Sequence, residues 1–151
     1  MSRVKKRGFT LIELMMVITV ATVISTLVVS AFRNYERVQR FQGSVADVRN
    51  GLAEARIKTL GSLNNSVHGV YVGTSTIQFF QGTTPIVGSS SNTIITFPSG
   101  ITATSSFSNS LWYVTFGRIT GAPTAIGTIT ITDSVSSTSK IFTISATGLV
   151  Q

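Results

Sequence analysis

Apolar and polar positions change their rhythm twice along this chain. From residue 9 to residue 32 apolar side chains run almost unbroken, with Glu13 the one charge, and residues 14–32 form 19 consecutive uncharged positions. As a helix that stretch spans roughly 28 Å, about the thickness of a bilayer's hydrocarbon. Beyond it, Val38, Phe41, Val45, Val48, Leu52 and Ala55 recur at alternating spacings of three and four, which draws one apolar stripe on a helix. No proline interrupts residues 9–60, so the pattern predicts one continuous helix. Gly43 and Gly51 each weaken it by about 1 kcal/mol relative to alanine. Gly61 and the Ser-Leu-Asn-Asn that follows supply its stop. The stripe has two readings, a coiled-coil dimer seam or a cover for the chain's own C-terminal part. The second is favoured because so uncharged a β segment needs one face covered.

The third rhythm is period two. HGVYVG, TIQFFQG, NTIITFP, LWYVTFG, IGTITIT and KIFTISATG are short β-branched and aromatic runs between Gly, Ser, Asn and Pro punctuation, the pattern of strands. Ile129 and Ile131 share one face and Thr128, Thr130 and Thr132 the other. In the last run Phe142, Ile144 and Ala146 oppose Ile141, Thr143 and Ser145. One apolar and one hydroxyl-covered face suits antiparallel sheets packed on a helix. The links GTTP, GSSSN, TSSFSNS and DSVSSTS read as solvated surface loops, with contact surfaces or O-glycosylation as alternatives. The fold class is therefore α+β, with a long N-terminal helix, membrane-like then amphipathic, packed on an antiparallel β domain. Its parts are a leader at 1–8, an apolar helix at 9–32, an amphipathic stalk at 33–60 and a β-rich globular domain at 66–151.

Charge changes the picture mainly at the ends of the apolar segment. The net charge of +7 looks like a nucleic-acid signal, but four of the twelve basic residues (Arg3, Lys5, Lys6, Arg7) lie in the first seven positions. Without them eight basic residues face five acids, a balance of +3. Residues 33–58 hold nine charges in 26 positions; after Lys58 only Arg118, Asp133 and Lys140 are charged. Arg33, Arg37 and Arg40 follow the span directly, partly offset by Glu36, and blunt the positive-inside bias. Headgroup contact is the plainer reading of these arginines, over a subunit or DNA contact.

Candidate chemistry is sparse. The absence of cysteine excludes disulfides, thiolate chemistry and Cys-based zinc sites, and a lone His68 excludes a multi-His metal site. Asp133 has no second acid, base or nucleophile beside it in the β segment, and general acid–base or triad chemistry needs partners placed together. His68 with Ser66 nearby is the one pair worth naming, and a strand-edge histidine is the simpler reading. No phosphate-cradling glycine loop is present. The chain reads as non-enzymatic and without a cofactor or metal.

What remains is the acid in the apolar helix. A secretory signal cut after Ala31 would account for the basic start and apolar core, but its apolar core is longer than usual and leaves Glu13 without a reason. KKRGFTLIELMMVI instead resembles the class III leader of type IV pilins and type II secretion pseudopilins: basic residues, a glycine, then F-T-L-I-E-L. The resemblance implies that prepilin peptidase cuts between Gly8 and Phe9 and methylates the new Phe9 amine, and that Glu13 serves filament assembly. Cutting there places a cation at the start of an apolar helix. In an array of such helices one subunit's Glu13 can lie beside the next subunit's Phe9 amine, each charge relieving the other's desolvation.

A second, weaker resemblance points to the minor pseudopilin family called GspH/FimT. LAEARIKTL before HGVYV is similar to that family's L-x-x-A-R-x-x-A element, with Ala55 and Arg56 matching and Thr59 in place of alanine. KIFTISATGLVQ is similar to its closing strand around Lys140, Ile144, Ser145, Gly148 and Val150, and WYVTFGRITG to its Trp/Phe-then-glycine strand and turn. The implied role is a minor structural subunit of a type IV pilus or secretion pseudopilus; the alternatives are a competence pilin that binds DNA and the filament's major subunit. The implied partners are prepilin peptidase, other pilins in a helical filament, an inner-membrane assembly platform and, before assembly, membrane lipid. The implied location is the bacterial inner membrane, single-pass with the β domain outside, and then the filament. DNA is not an expected partner, because phosphate contacts need clustered Lys/Arg and Lys140 is the one basic residue of the last thirty.

Overall fold

A computed structural model describes residues 9–86 and 88–151. One helix, α1 (Leu11–Leu60), is followed by a short 3-10 turn (Leu63–Asn65) and seven strands: β1 (His68–Val72), β2 (Thr76–Gln81), β3 (Thr93–Thr96), β4 (Ile101–Phe107), β5 (Tyr113–Phe116), β6 (Gly127–Asp133) and β7 (Thr138–Ile144). The strands form two antiparallel sheets, ordered β3-β2-β1-β5 and β4-β6-β7. The chain divides into two compact units, Met1–Gln39 and Arg40–Gln151.

Within the second unit the helical stripe does what its spacing implies. Phe41, Val48, Leu52 and Ala55 are buried in one core with Val70, Ile77, Val114, Phe116, Ile129 and Phe142 from the sheets. Full burial of a side chain of this size is worth about 1.5–3 kcal/mol relative to exposure. From Phe41 to Ala55 the stripe covers the chain's own sheets, while Val38, its first residue, is exposed.

Three buried positions on that face carry no apolar side chain: Ser44, Gly51 and Thr59. The two hydroxyls are returned to the helix itself, Ser44 Oγ donating to the Arg40 carbonyl at 3.0 Å and Thr59 Oγ1 to the Ala55 carbonyl at 2.9 Å. Thr59 Oγ1 also accepts the His68 amide at 3.0 Å, tying the last helical turn to the first strand. Gly51 is small because the Phe79 ring lies against it.

The helix stop differs from the simple expectation of a glycine cap. Gly61 continues the helical pattern, its N–H bonding to the Ile57 carbonyl at 2.9 Å. The left-handed positions fall instead on Ser62, Asn64 and Asn65, with φ of 48°, 57° and 54°. Asparagine is among the few residues that adopt this region readily.

The strand the composition concealed is β4. Its second half lies inside the TSSFSNS link expected to be a loop, yet residues 101–107 pair with β6 over their full length. Ile101, Ala103 and Phe107 point inward and are buried, while Thr102, Thr104 and Ser106 alternate with them. Half-exposed Ser105 interrupts the apolar alternation, and that one serine makes the segment read as loop. At the other end, β7 stops at Ile144, so Ala146 lies past the strand.

Candidate functional site

The prospective cleavage and assembly residues sit at the start of α1. Gly8 lies outside the described residues; Phe9 and Thr10 precede the first helical residue, Leu11. The Leu14 amide bonds to the Thr10 carbonyl at 3.1 Å, which makes Thr10 the N-cap. Its hydroxyl accepts the Glu13 amide at 3.3 Å, and the Glu13 carboxylate reaches back to the Thr10 amide at 3.5 Å. This is a capping box, in which two of the helix's orphan donors are satisfied reciprocally.

The capping box supplies a local reason for the acid that spacing alone did not offer. A carboxylate in the first turn also meets the positive end of the helix dipole. The signal was present in the sequence as Thr-x-x-Glu just ahead of an apolar run. Thr10 is the residue that reasoning from charge overlooked.

Past Glu13 the helix has nowhere apolar to go within its own unit. Phe9 is 83% exposed, and Leu11, Met16, Leu27 and Phe32 are exposed with their neighbours. An 18-residue window in this part reaches a mean hydropathy of 2.3 with none of it buried, long and apolar enough to cross a membrane. Four of its hydroxyls bond to the helix itself: Thr19, Thr22, Ser25 and Thr26 each donate at 2.8 Å to a carbonyl three or four residues earlier, those of Met15, Ile18, Ala21 and Val23. Polar groups that bond to their own helix remove the main cost of placing them in hydrocarbon.

The other residues singled out by sequence lie in the globular unit and serve its structure. Asp133 is buried; its carboxylate accepts the Val135 amide at 3.1 Å and the Ser136 hydroxyl at 2.9 Å, which shapes the β6–β7 turn. Ser66 donates to the Val67 carbonyl at 3.2 Å and not to His68. His68 is buried, its Nδ1 without a hydrogen-bond partner among the described residues. Burial, and then the charge of Lys58, hold its pKa below the ordinary imidazole value.

Arg56, Ser145 and Gly148, which carry the second resemblance, meet at one corner. Arg56 Nη2 donates to the Thr147 carbonyl at 3.3 Å. Ser145 Oγ accepts the Leu149 amide at 3.2 Å, and the chain then folds back so that Ile144 and Val150 bridge.

Residues 3–29 match the family described as the prokaryotic N-terminal methylation motif. No curated protein and no solved structure matches the chain. The motif supports a class III, prepilin-type leader and a type IV pilin-like subunit that prepilin peptidase processes and that assembles with other pilins. With the apolar helix that follows, it is consistent with anchoring in a membrane.

Proposed function

We propose that this chain is a minor, non-enzymatic structural subunit of a type IV pilus or type II secretion pseudopilus, cut between Gly8 and Phe9 and methylated at Phe9. The observation that carries the reading is the position of Glu13: one carboxylate in the first turn of α1, the single charge of the apolar segment 9–32, four residues after the prospective new N-terminus, within the matched motif. The cleaved amine is cationic at neutral pH. A carboxylate on a neighbouring helix offsets it, and the capping box keeps the Glu13 carboxylate in the first turn of its own helix. Before assembly the apolar segment rests in the inner membrane with the globular unit outside. After assembly the same surface packs against other subunits' helices.

Assignment to the GspH/FimT-like minor group is supported by the way its matching residues converge, with Arg56 holding the Thr147–Gly148 turn. DNA is not a partner in this reading, since the globular unit's β segment offers no cluster of basic residues. Mass spectrometry of the protein extracted from membranes tests the proposal: a chain beginning at N-methylated Phe9, present at low stoichiometry in sheared filaments, is the expected result. A mature chain that retains Met1 or begins at Phe32 would overturn it.

A further inference from the structure

The sheet face beneath α1 is only partly roofed. Strand register places His68 and Val70 of β1, Ile77 and Phe79 of β2, and Thr93 and Ile95 of β3 on one face. Val70 and Ile77 are fully buried in the core that includes Val48 and Leu52 of the helix, whereas Ile95 is half-buried and Thr93 exposed. An open cleft of about 190 Å³ remains between the helix and β3.

Its lining is apolar at the centre and polar at both ends. The Phe79 ring lies against Gly51, and Ala55 and Ile95 add to the apolar surface. On the helix wall stand two carboxylates, Asp47 and Glu54, and one ammonium, Lys58. Lys58 is paired with Glu54, while Asp47 is exposed and has no ion-pair partner among the described residues. Asp47 precedes Gly51 by one helical turn, about 6 Å along the axis. His68 also lines the cleft; it is 8% exposed and its Nδ1 is buried and unpartnered. It stands diagonal to Phe79 across the β1–β2 ladder, a separation of about 7–8 Å. Buried polar groups are normally hydrogen-bonded, and an orphan in the lining of a cleft is the kind of exception a bound group explains.

We infer that this cleft binds a single-ring aromatic amine bearing a ring hydroxyl, with its ammonium at Asp47, its ring against Phe79 and its hydroxyl at His68. Size sets the ring count: an apolar cavity of about 150 Å³ holds one benzene, so this space admits one ring and a short arm. Charge sets the sign of the arm. Two carboxylates against one ammonium leave the helix wall net negative, and burial and Lys58 keep the imidazole neutral at pH 7. The hydroxyl follows from His68, because a group that both donates and accepts satisfies Nδ1 in either tautomer. A cleft with an apolar centre and a few convergent polar groups is the usual form of a small-ligand site. The inference draws on the globular unit alone and stands whether or not the minor-subunit reading holds.

Tyramine is the probe. Titrated into isotopically labelled full-length protein in micelles, it is expected to shift the Gly51 and Thr93 amides saturably in the nuclear magnetic resonance spectrum. Phenethylamine lacks the hydroxyl, and para-hydroxyphenylacetate replaces the ammonium with a carboxylate. Each is expected to bind roughly fivefold more weakly, the scale of one neutral hydrogen bond or one exposed ion pair. Asp47→Asn is expected to erase the preference over the acid and keep the preference over phenethylamine. His68→Phe is expected to do the reverse, with the circular dichroism spectrum retained. Equal affinity for tyramine and the acid would overturn the inference, as would an unchanged ranking in Asp47→Asn, an exposed substitution that leaves the core intact. Shifts confined to residues 11–38, the mark of partition into the micelle, would overturn it as well.

Discussion

Gly148 rests on the carbonyl oxygen of Gly121, so close that a Cβ at Gly148 would overlap that oxygen, with the Arg56 guanidinium closing the same corner. Gly148 also has φ of +73°, a conformation that costs an L-residue roughly 1–2 kcal/mol. Both obstacles are backbone, so neither can be relieved by a side-chain rotation. Gly148→Ala is therefore expected to destabilise the globular unit by at least about 2 kcal/mol. Chemical denaturation of the full-length protein in micelles, followed by Trp112 fluorescence, measures it. A change below about 0.5 kcal/mol would mean the corner carries no such constraint.

Gly51 makes a subtler case. Helix propensity alone says that Gly51→Ala should stabilise by about 1 kcal/mol. The Phe79 ring occupies the space a methyl would need, and overpacking a buried contact costs typically 1–3 kcal/mol. Net destabilisation is expected at Gly51, whereas Gly43, with nothing within 4 Å of its added Cβ, gains the full propensity benefit. Comparing the two alanine variants in one denaturation series separates packing from propensity. A stabilised Gly51→Ala protein would show that Phe79 yields freely into the neighbouring cleft.

This contrast also marks what the chain's pattern made legible. The stripe from Phe41 to Ala55 announced a packed helix, and the Ile129/Ile131 alternation announced a half-buried strand, because one side chain per turn or per pleat is enough to set a period. Gly51, Ser44 and Thr59 broke that period with small residues whose purpose lies in a distant partner: the Phe79 ring for the glycine, and the His68 amide for Thr59. The strand β4 was hidden for the related reason that Ser105 occupies an inward position. At the N-terminus the acid was visible as an anomaly, and its inter-subunit counter-charge followed from the resemblance. The capping role followed only once Thr10 and Glu13 were seen to bond each other. The corner joining Arg56, Gly121 and Gly148 brings together segments far apart in the chain, which no local pattern encodes.

His68 gives the globular unit a pH dependence of definite sign. Burial and the charge of Lys58 lower its pKa in the folded state; Glu54, which pairs with Lys58 at 2.5 Å, lines the same cleft. The unfolded chain therefore binds the imidazole proton more tightly than the folded one. Stability from this group is complete above the ordinary histidine value of about 6.5, and it declines as pH falls through the interval down to the folded pKa. Unfolding midpoints between pH 7.5 and about pH 5 should fall for the parent protein and flatten for His68→Gln. Parallel slopes in the two proteins would assign the pH dependence to another group.

The two roles of Glu13 make opposite demands on its substitutes. A capping box accepts glutamine at the third helical position as readily as glutamate, so Glu13→Gln preserves the return bond to the Thr10 amide and removes only the charge. If the carboxylate serves the helix end alone, that variant assembles normally, and Glu13→Ala loses about 0.5–2 kcal/mol of local helix stability. If it neutralises the Phe9 amine of an adjoining subunit, Glu13→Gln is cleaved and inserted as before yet enters filaments poorly, because a buried cation left without its partner costs about 3–5 kcal/mol. The expected outcome is the second: intact processing by mass spectrometry, unchanged amide exchange at Leu11 to Leu14, and at least a tenfold loss of the protein from sheared filaments. A Thr10→Val variant completes the comparison, since it disrupts the cap and keeps the charge. It is expected to fray the first turn while leaving incorporation closer to the parent level than Glu13→Gln does. The reverse order would make helix capping, and not charge pairing, the reason for an acid at this position.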